Sequence, residues 1–81
     1  MGMLRIMSRR GDDRVMWDVA YATKGDPEAI AAIQEAERIF HEQRAQGATA
    51  FTVEKGRTPV RIDEFDPTAD QIVLVPRVVG G

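Results

Sequence analysis

The 81 residues predict a small α+β domain: a mixed sheet with one long amphipathic helix laid across one face. Three observations carry that expectation. Short stretches of alternating apolar and polar residues bracket the middle of the chain, as half-buried strands do. Between them, Ile30, Ile33, Ala36, Ile39 and Phe40 recur at three- and four-residue spacing and form one apolar stripe. Near the end, Ile72-Val73-Leu74-Val75 is apolar at every position, the pattern of a strand buried on both faces.

In chain order, Met3 to Ser8 reads as a first strand with Leu4 and Ile6 on one face. Arg9-Arg10-Gly11-Asp12-Asp13 reads as a solvated turn. Arg14 to Tyr21 alternates again, with Val15, Trp17 and Val19 on one face, so the first two strands form a hairpin. Asp26-Pro27 is a helix start: the Asp caps, and proline suits the first helical position. Gly47 is the natural stop. Thr49 to Glu54 returns to strand, with Phe51 and Val53 expected inward. After a turn at Lys55-Gly56-Arg57, Val60 and Ile62 make a short strand, and Pro59 before them suits a sheet edge. Asp63 to Thr68 is an acidic loop from which Phe65 plugs the core. The helix must bury its stripe against the sheet. With the last strand placed centrally beside the first, this arrangement is a β-grasp: residues 1–75 form the domain and 76–81 an extended tail.

Composition removes several function classes. A net charge of −2 gives no argument for nucleic acid or an anionic membrane. Zero cysteines exclude a disulfide framework, a thiolate metal site and a cysteine nucleophile. The opening MGMLRIMSRRGDD has no long apolar segment of a signal peptide, and no run approaches the length of a membrane span. A cytoplasmic protein is therefore expected. Asp63, Glu64, Asp66 and Asp70 lack the spacing and glycine of a calcium loop. His41 lies beside the helical stripe and has no serine or aspartate partner at useful spacing, so it reads as packing. No phosphate-binding loop and no nucleophile–base pair is present. The chain reads as a non-enzyme, with no bound cofactor.

What remains is the ending. Pro76-Arg77-Val78-Val79-Gly80-Gly81 follows the last strand. Two glycines without side chains fit a narrow channel, and the reactive group they carry is the α-carboxylate of Gly81.

The segment from Asp70 to Gly81 resembles the carboxyl terminus of the MoaD and ThiS sulfur carriers, which end in an acidic residue, an apolar strand, a proline-containing segment and Gly-Gly. The resemblance covers about twelve residues. It implies the β-grasp fold those carriers share with ubiquitin. It also implies a MoeB-like adenylating enzyme as partner, which spends ATP with Mg²⁺ to make an acyl-adenylate at Gly81. A sulfur acceptor or target protein then receives the group. Pro76, Arg77, Val78, Val79 and Gly80 form the binding tail in this reading. Arg77 stands where those carriers have a second proline, and Val79 where they have a small residue, so this tail is bulkier and more charged. An exposed apolar sheet face is expected to grip the partner's body, with Met16, Trp17 and Tyr21 as contributors; Trp17 suits the core equally. Arg77 fits either an acidic groove of the partner or plain solvent. The rival expectation is a non-covalent β-grasp adaptor, for example a phage assembly factor, in which Gly80-Gly81 is only a flexible end.

Overall fold

The computed structural model describes the backbone of residues 1–8 and 11–77, and their side chains except those of 8, 11 and 12. It is a small α+β domain with a five-stranded mixed sheet and one main helix. The strands are β1 (Gly2–Ser8), β2 (Gly11–Trp17), β3 (Thr49–Thr52), β4 (Val60–Ile62) and β5 (Ile72–Val75). Their spatial order is β2-β1-β5-β3-β4. The last strand therefore sits in the middle, parallel to β1 on one side and antiparallel to β3 on the other. β2 and β4 are the edges, and Pro59 precedes the β4 edge as expected.

The hairpin differs from expectation at both ends. β2 begins at Gly11, with Asp12 and Asp13 already opposite Met7 and Ile6, so Gly11, Asp12 and Asp13, read as turn, belong to the ladder; Arg9 and Arg10, the rest of that turn, lie outside the described residues. It ends at Trp17. Asp18 then accepts the backbone N–H groups of Ala20 and Tyr21 at 2.9 and 3.4 Å and starts a short helix, α1 (Val19–Thr23). A capping carboxylate offers those amides an alternative to the ladder, so it overrides the alternation that continued through Val19 and Tyr21. Val19 still packs against the core, from a helix rather than a strand.

The long helix α2 (Pro27–Ala45) forms where its signals place it. Asp26 caps it through the Glu28 N–H at 3.1 Å, and Gly47 follows the Gln46 cap at φ +96°, the left-handed region in which glycine is not penalised. The buried stripe is rotated from the predicted one. Ala29, Ala36 and Phe40 are buried, Ile33 and Ile39 pack beside them, and Ile30 is 37% exposed. On the solvent face Arg38 bridges Glu35 and Glu42, and the hydrogen bond from Arg38 holds the Glu35 carboxyl below its ordinary pKa.

The core is the layer between α2 and one sheet face. Leu4, Phe40, Ile72 and Leu74 are its fully enclosed large side chains. Each such burial stabilises by about 1.5–3 kcal/mol. Trp17 belongs to this layer: it is 2% exposed, its indole N–H donates to the Pro67 carbonyl at 2.9 Å, and its ring lies 5.5 Å from Phe65. Phe65 also meets Phe40 edge-on at 5.8 Å, so it does plug the core from the acidic loop. The expectation that Phe51 and Val53 point inward is corrected. Ala50 is the buried residue of β3, opposite Leu74, whereas Phe51 pairs with Val73 on the other face. With Phe40, Leu74 and Ile62 in the layer, a small residue fills the inward position.

Gly2 faces Trp17 so closely that a Cβ added there would fall 2.2 Å from the indole. The indole is held by its hydrogen bond and by Phe65, so it has no easy retreat. Gly2→Ala is expected to destabilise the domain by about 2 kcal/mol or more, measured by urea unfolding. Gly56→Ala has open space around it and only its positive φ to strain, and should cost about 1 kcal/mol.

Candidate functional site

The candidate site is the root of the tail. β5 carries the chain through the centre of the sheet to Val75, which pairs with Thr49. Pro76 follows. It has no N–H to donate, so the ladder cannot continue with it, and its fixed φ stiffens the departure. Both Pro76 and Arg77 are exposed. Val78, Val79, Gly80 and Gly81, on which the rest of the expected site falls, lie outside the described residues.

The junction that receives Arg77 is built by the end of α2. After Ala45 the chain turns through Gln46 and Gly47 into β3, with the Gly47 N–H on the Arg44 carbonyl at 3.0 Å and the Ala48 N–H on the Gln43 carbonyl at 3.0 Å. Arg44 pins this turn from outside: one guanidinium nitrogen donates to the Ala48 carbonyl at 2.8 Å and another to Asp63 at 3.0 Å. The stem of Arg77 then lies over Gly47. A Cβ at Gly47 would come within 3.1 Å of Arg77 Cδ and 3.5 Å of its Cβ. Arg77 was expected either in a partner's acidic groove or in plain solvent. It is exposed, and its aliphatic part packs against the C-terminal end of the helix, where the helix dipole also favours a cation. Gly47 is thus more than a helix stop. It clears the space in which the tail root rests, and only its place beside Arg77 in three dimensions reveals that.

The three side chains expected on a docking face separate. Trp17 is core. Tyr21 is 55% exposed but sits on α1, and Lys24 approaches its ring at 5.8 Å. Met16, 53% exposed, lies on the sheet face that α2 does not cover. His41 is exposed, 3.9 Å from Glu37 and edge-on to Phe40, consistent with packing. In the acidic loop, Asp63 serves Arg44, and Asp66 accepts from the N–H and hydroxyl of Thr68, closing a local turn. Among the described residues no three potential ligands cluster around one point. A hollow of about 200 Å³ lined by Thr52, Glu54, Arg57, Thr58 and Val60 sits at the opposite end of β3 from the tail root. No helix among the described residues is long and apolar enough to cross a membrane.

Comparison with protein families, with curated proteins and with solved structures finds no match. The geometry above is therefore the basis for any functional reading.

Gly47→Ala is expected to loosen the tail root, because the added methyl must displace Arg77. The readout is the rate of native-state tryptic cleavage after Arg77, which should rise several-fold. Gly25→Ala supplies the control: φ is similarly positive at +89°, yet nothing lies within 4 Å. That variant shares the backbone strain, about 1 kcal/mol, and should leave the cleavage rate after Arg77 unchanged.

Proposed function

We propose that this chain is a β-grasp, ubiquitin-like carrier or modifier whose reactive group is a carboxylate at Gly81. The observation that carries this reading is the end of β5: the central strand, parallel to β1, stops at Val75 with Pro76 and Arg77 exposed beyond it, and in sequence the diglycine follows four residues after Pro76. A strand bonded on both sides is a firm base, and a proline at its exit limits the entropy lost when the tail enters a channel. No side-chain constellation of the described residues competes for the role, and the tail's resemblance to the MoaD and ThiS carriers points the same way.

The chemistry belongs to a partner adenylating enzyme of the MoeB type. A carboxylate is a poor electrophile, so it must gain a leaving group. A carboxylate oxygen of Gly81 attacks the α-phosphorus of ATP, pyrophosphate leaves, and an acyl-adenylate forms. A sulfur nucleophile then attacks the carbonyl and expels AMP. Attack by hydrosulfide leaves a thiocarboxylate with no change of oxidation state; attack by a cysteine thiol leaves a thioester, which an amine converts to an amide with release of the thiol. Throughout, this chain contributes the acyl group and its presentation, while ATP and Mg²⁺ sit on the partner.

A second reading keeps the fold and drops the activation. Arg77 and Val79 depart from the carrier pattern, and a non-covalent adaptor needs neither a slim nor a neutral tail. The two readings differ in one experiment. Incubated with a MoeB-type enzyme and ATP, the chain is expected to gain the mass of an oxygen-for-sulfur exchange when a sulfur donor is supplied. Deletion of Gly81 should abolish the product. An unchanged intact mass, with cellular function indifferent to the deletion, would favour the adaptor.

A further inference from the structure

The sheet face turned away from α2 carries a straight row of residues through all five strands. Arg14 pairs with Arg5, Arg5 with Val73, Val73 with Phe51, and Phe51 with Arg61. The row therefore places two guanidinium groups at one end, an apolar centre, and a third guanidinium at the other end. Strands lie about 4.8 Å apart, so the cations bracket the apolar centre over roughly 14–19 Å. Arg14 and Arg61 are exposed, and Arg5, Val73 and Phe51 are half-buried. Met16 and Met3, themselves a cross-strand pair, extend the apolar surface beside the row.

Charge on this molecule is segregated. The whole chain has a net charge of −2, and the outer surface of α2 exposes Glu28, Glu35, Glu37 and Glu42 against one exposed arginine, Arg38. Leaving aside Asp12, whose side chain lies outside the described ones, the strand residues that alternate onto the open face include three arginines and no acid. Placing Arg5 directly opposite Arg14 opposes folding, because like charges in a cross-strand pair repel. Both arginines also interact within the chain. A guanidinium has five donors, so an internal partner leaves capacity for a second carboxylate.

We infer that this face docks an acidic protein segment: a stretch of partner chain with apolar side chains over Val73 and Phe51 and carboxylates at both ends, reaching Arg5 and Arg14 on one side and Arg61 on the other. An extended segment covers the row with about six residues, at roughly 3.3 Å each. Opposite charge steers its approach, and the apolar centre holds it. A single nucleic-acid strand also suits arginine beside an aromatic ring. However, the row is discontinuous, two arginines, two apolar residues and one arginine, which suits a partner with a few placed carboxylates rather than a charge at every unit. The inference is independent of what the tail does.

The test is an amide-resolved NMR titration of the full chain with a synthetic acidic–apolar peptide, DSLSLSD, whose two leucines and two end aspartates share one face when extended. Saturable shifts are expected at Arg5, Arg14, Phe51, Arg61 and Val73, with affinity falling as salt is added. Arg14→Glu combined with Arg61→Glu should weaken binding about tenfold or more, whereas Lys55→Glu, on the β3–β4 turn, should change it by less than about twofold. Should the double variant lose its folded spectrum, Arg61→Glu alone, at the edge strand, carries the same test with a smaller loss. Three results would overturn the inference. The first is shifts that are absent or centred on α2. The second is tighter binding of a single-stranded thymidine oligonucleotide at the same face. The third is self-association, seen as concentration-dependent sedimentation, that occupies the row with the acidic α2 surface of another copy.

Discussion

The structure depends on β5 being held on both sides. Ile72 and Leu74 are fully enclosed under α2, while the same four-residue strand forms ladders with β1 and β3. Neither half of the sheet is complete without it. The β1–β2 hairpin and the β3–β4 pair have no direct ladder to each other; β5 joins them. Because β5 is last in sequence and central in space, the sheet closes only when the far end of the chain returns to its beginning. Such non-local closure costs loop entropy before it gains burial, and topologies of this kind fold more slowly than those built from local contacts. It also means that whatever follows Val75 starts from a strand bonded on both sides.

Much of this was readable from the residues because the relevant signals are local. Asp26-Pro27 and Gly47 bound α2 through capping chemistry that acts within one turn. The unbroken Ile72–Val75 run announced a strand with two apolar neighbours. The failures have two causes: in one a local signal overrode another, and in the rest contacts between distant segments decided. Alternation through Val19 was overruled by the Asp18 cap, a local signal that competed and won. Phe51 is the bulky residue of β3, yet parity with Val73 sends it outward and leaves Ala50 inside. Trp17 could serve a surface or a core until Phe65 and the Pro67 carbonyl came to it from the other end of the chain. Ile30 fell off the stripe because the buried arc centres on Ala29, Ala36 and Phe40. For the candidate site, Pro76 and Arg77 were named from sequence, while their seat against Gly47 and the arginine row across five strands depend on register and topology.

The two faces of the sheet divide the labour. One, under α2, supplies the enclosed side chains that stabilise the domain; the other exposes arginine, methionine and half-buried aromatic surface that a core has no use for. An arginine in a strand otherwise dictated by burial is tolerated only where solvent or a partner meets it. β5 contributes to both, with Leu74 inward and Val73 in the centre of the open row, and two residues later it releases the tail. In the proposed function this coupling is useful: a partner that reads the face is already beside the point from which the acyl group is delivered.

The central claim is that the carboxylate at Gly81 is the group on which activation acts, with the folded domain as its handle. The most direct measurement is ATP–pyrophosphate exchange by a MoeB-type adenylating enzyme, comparing the free-acid chain with a semisynthetic chain whose terminal carboxylate is a primary amide. The amide keeps the sheet, the Arg77 seat and the tail's shape while removing only the attacking oxygen. The account predicts exchange that saturates with the free-acid chain and none above background with the amide, although the amide should still compete for binding. Equal rates with the two chains, or no exchange with either, would contradict it.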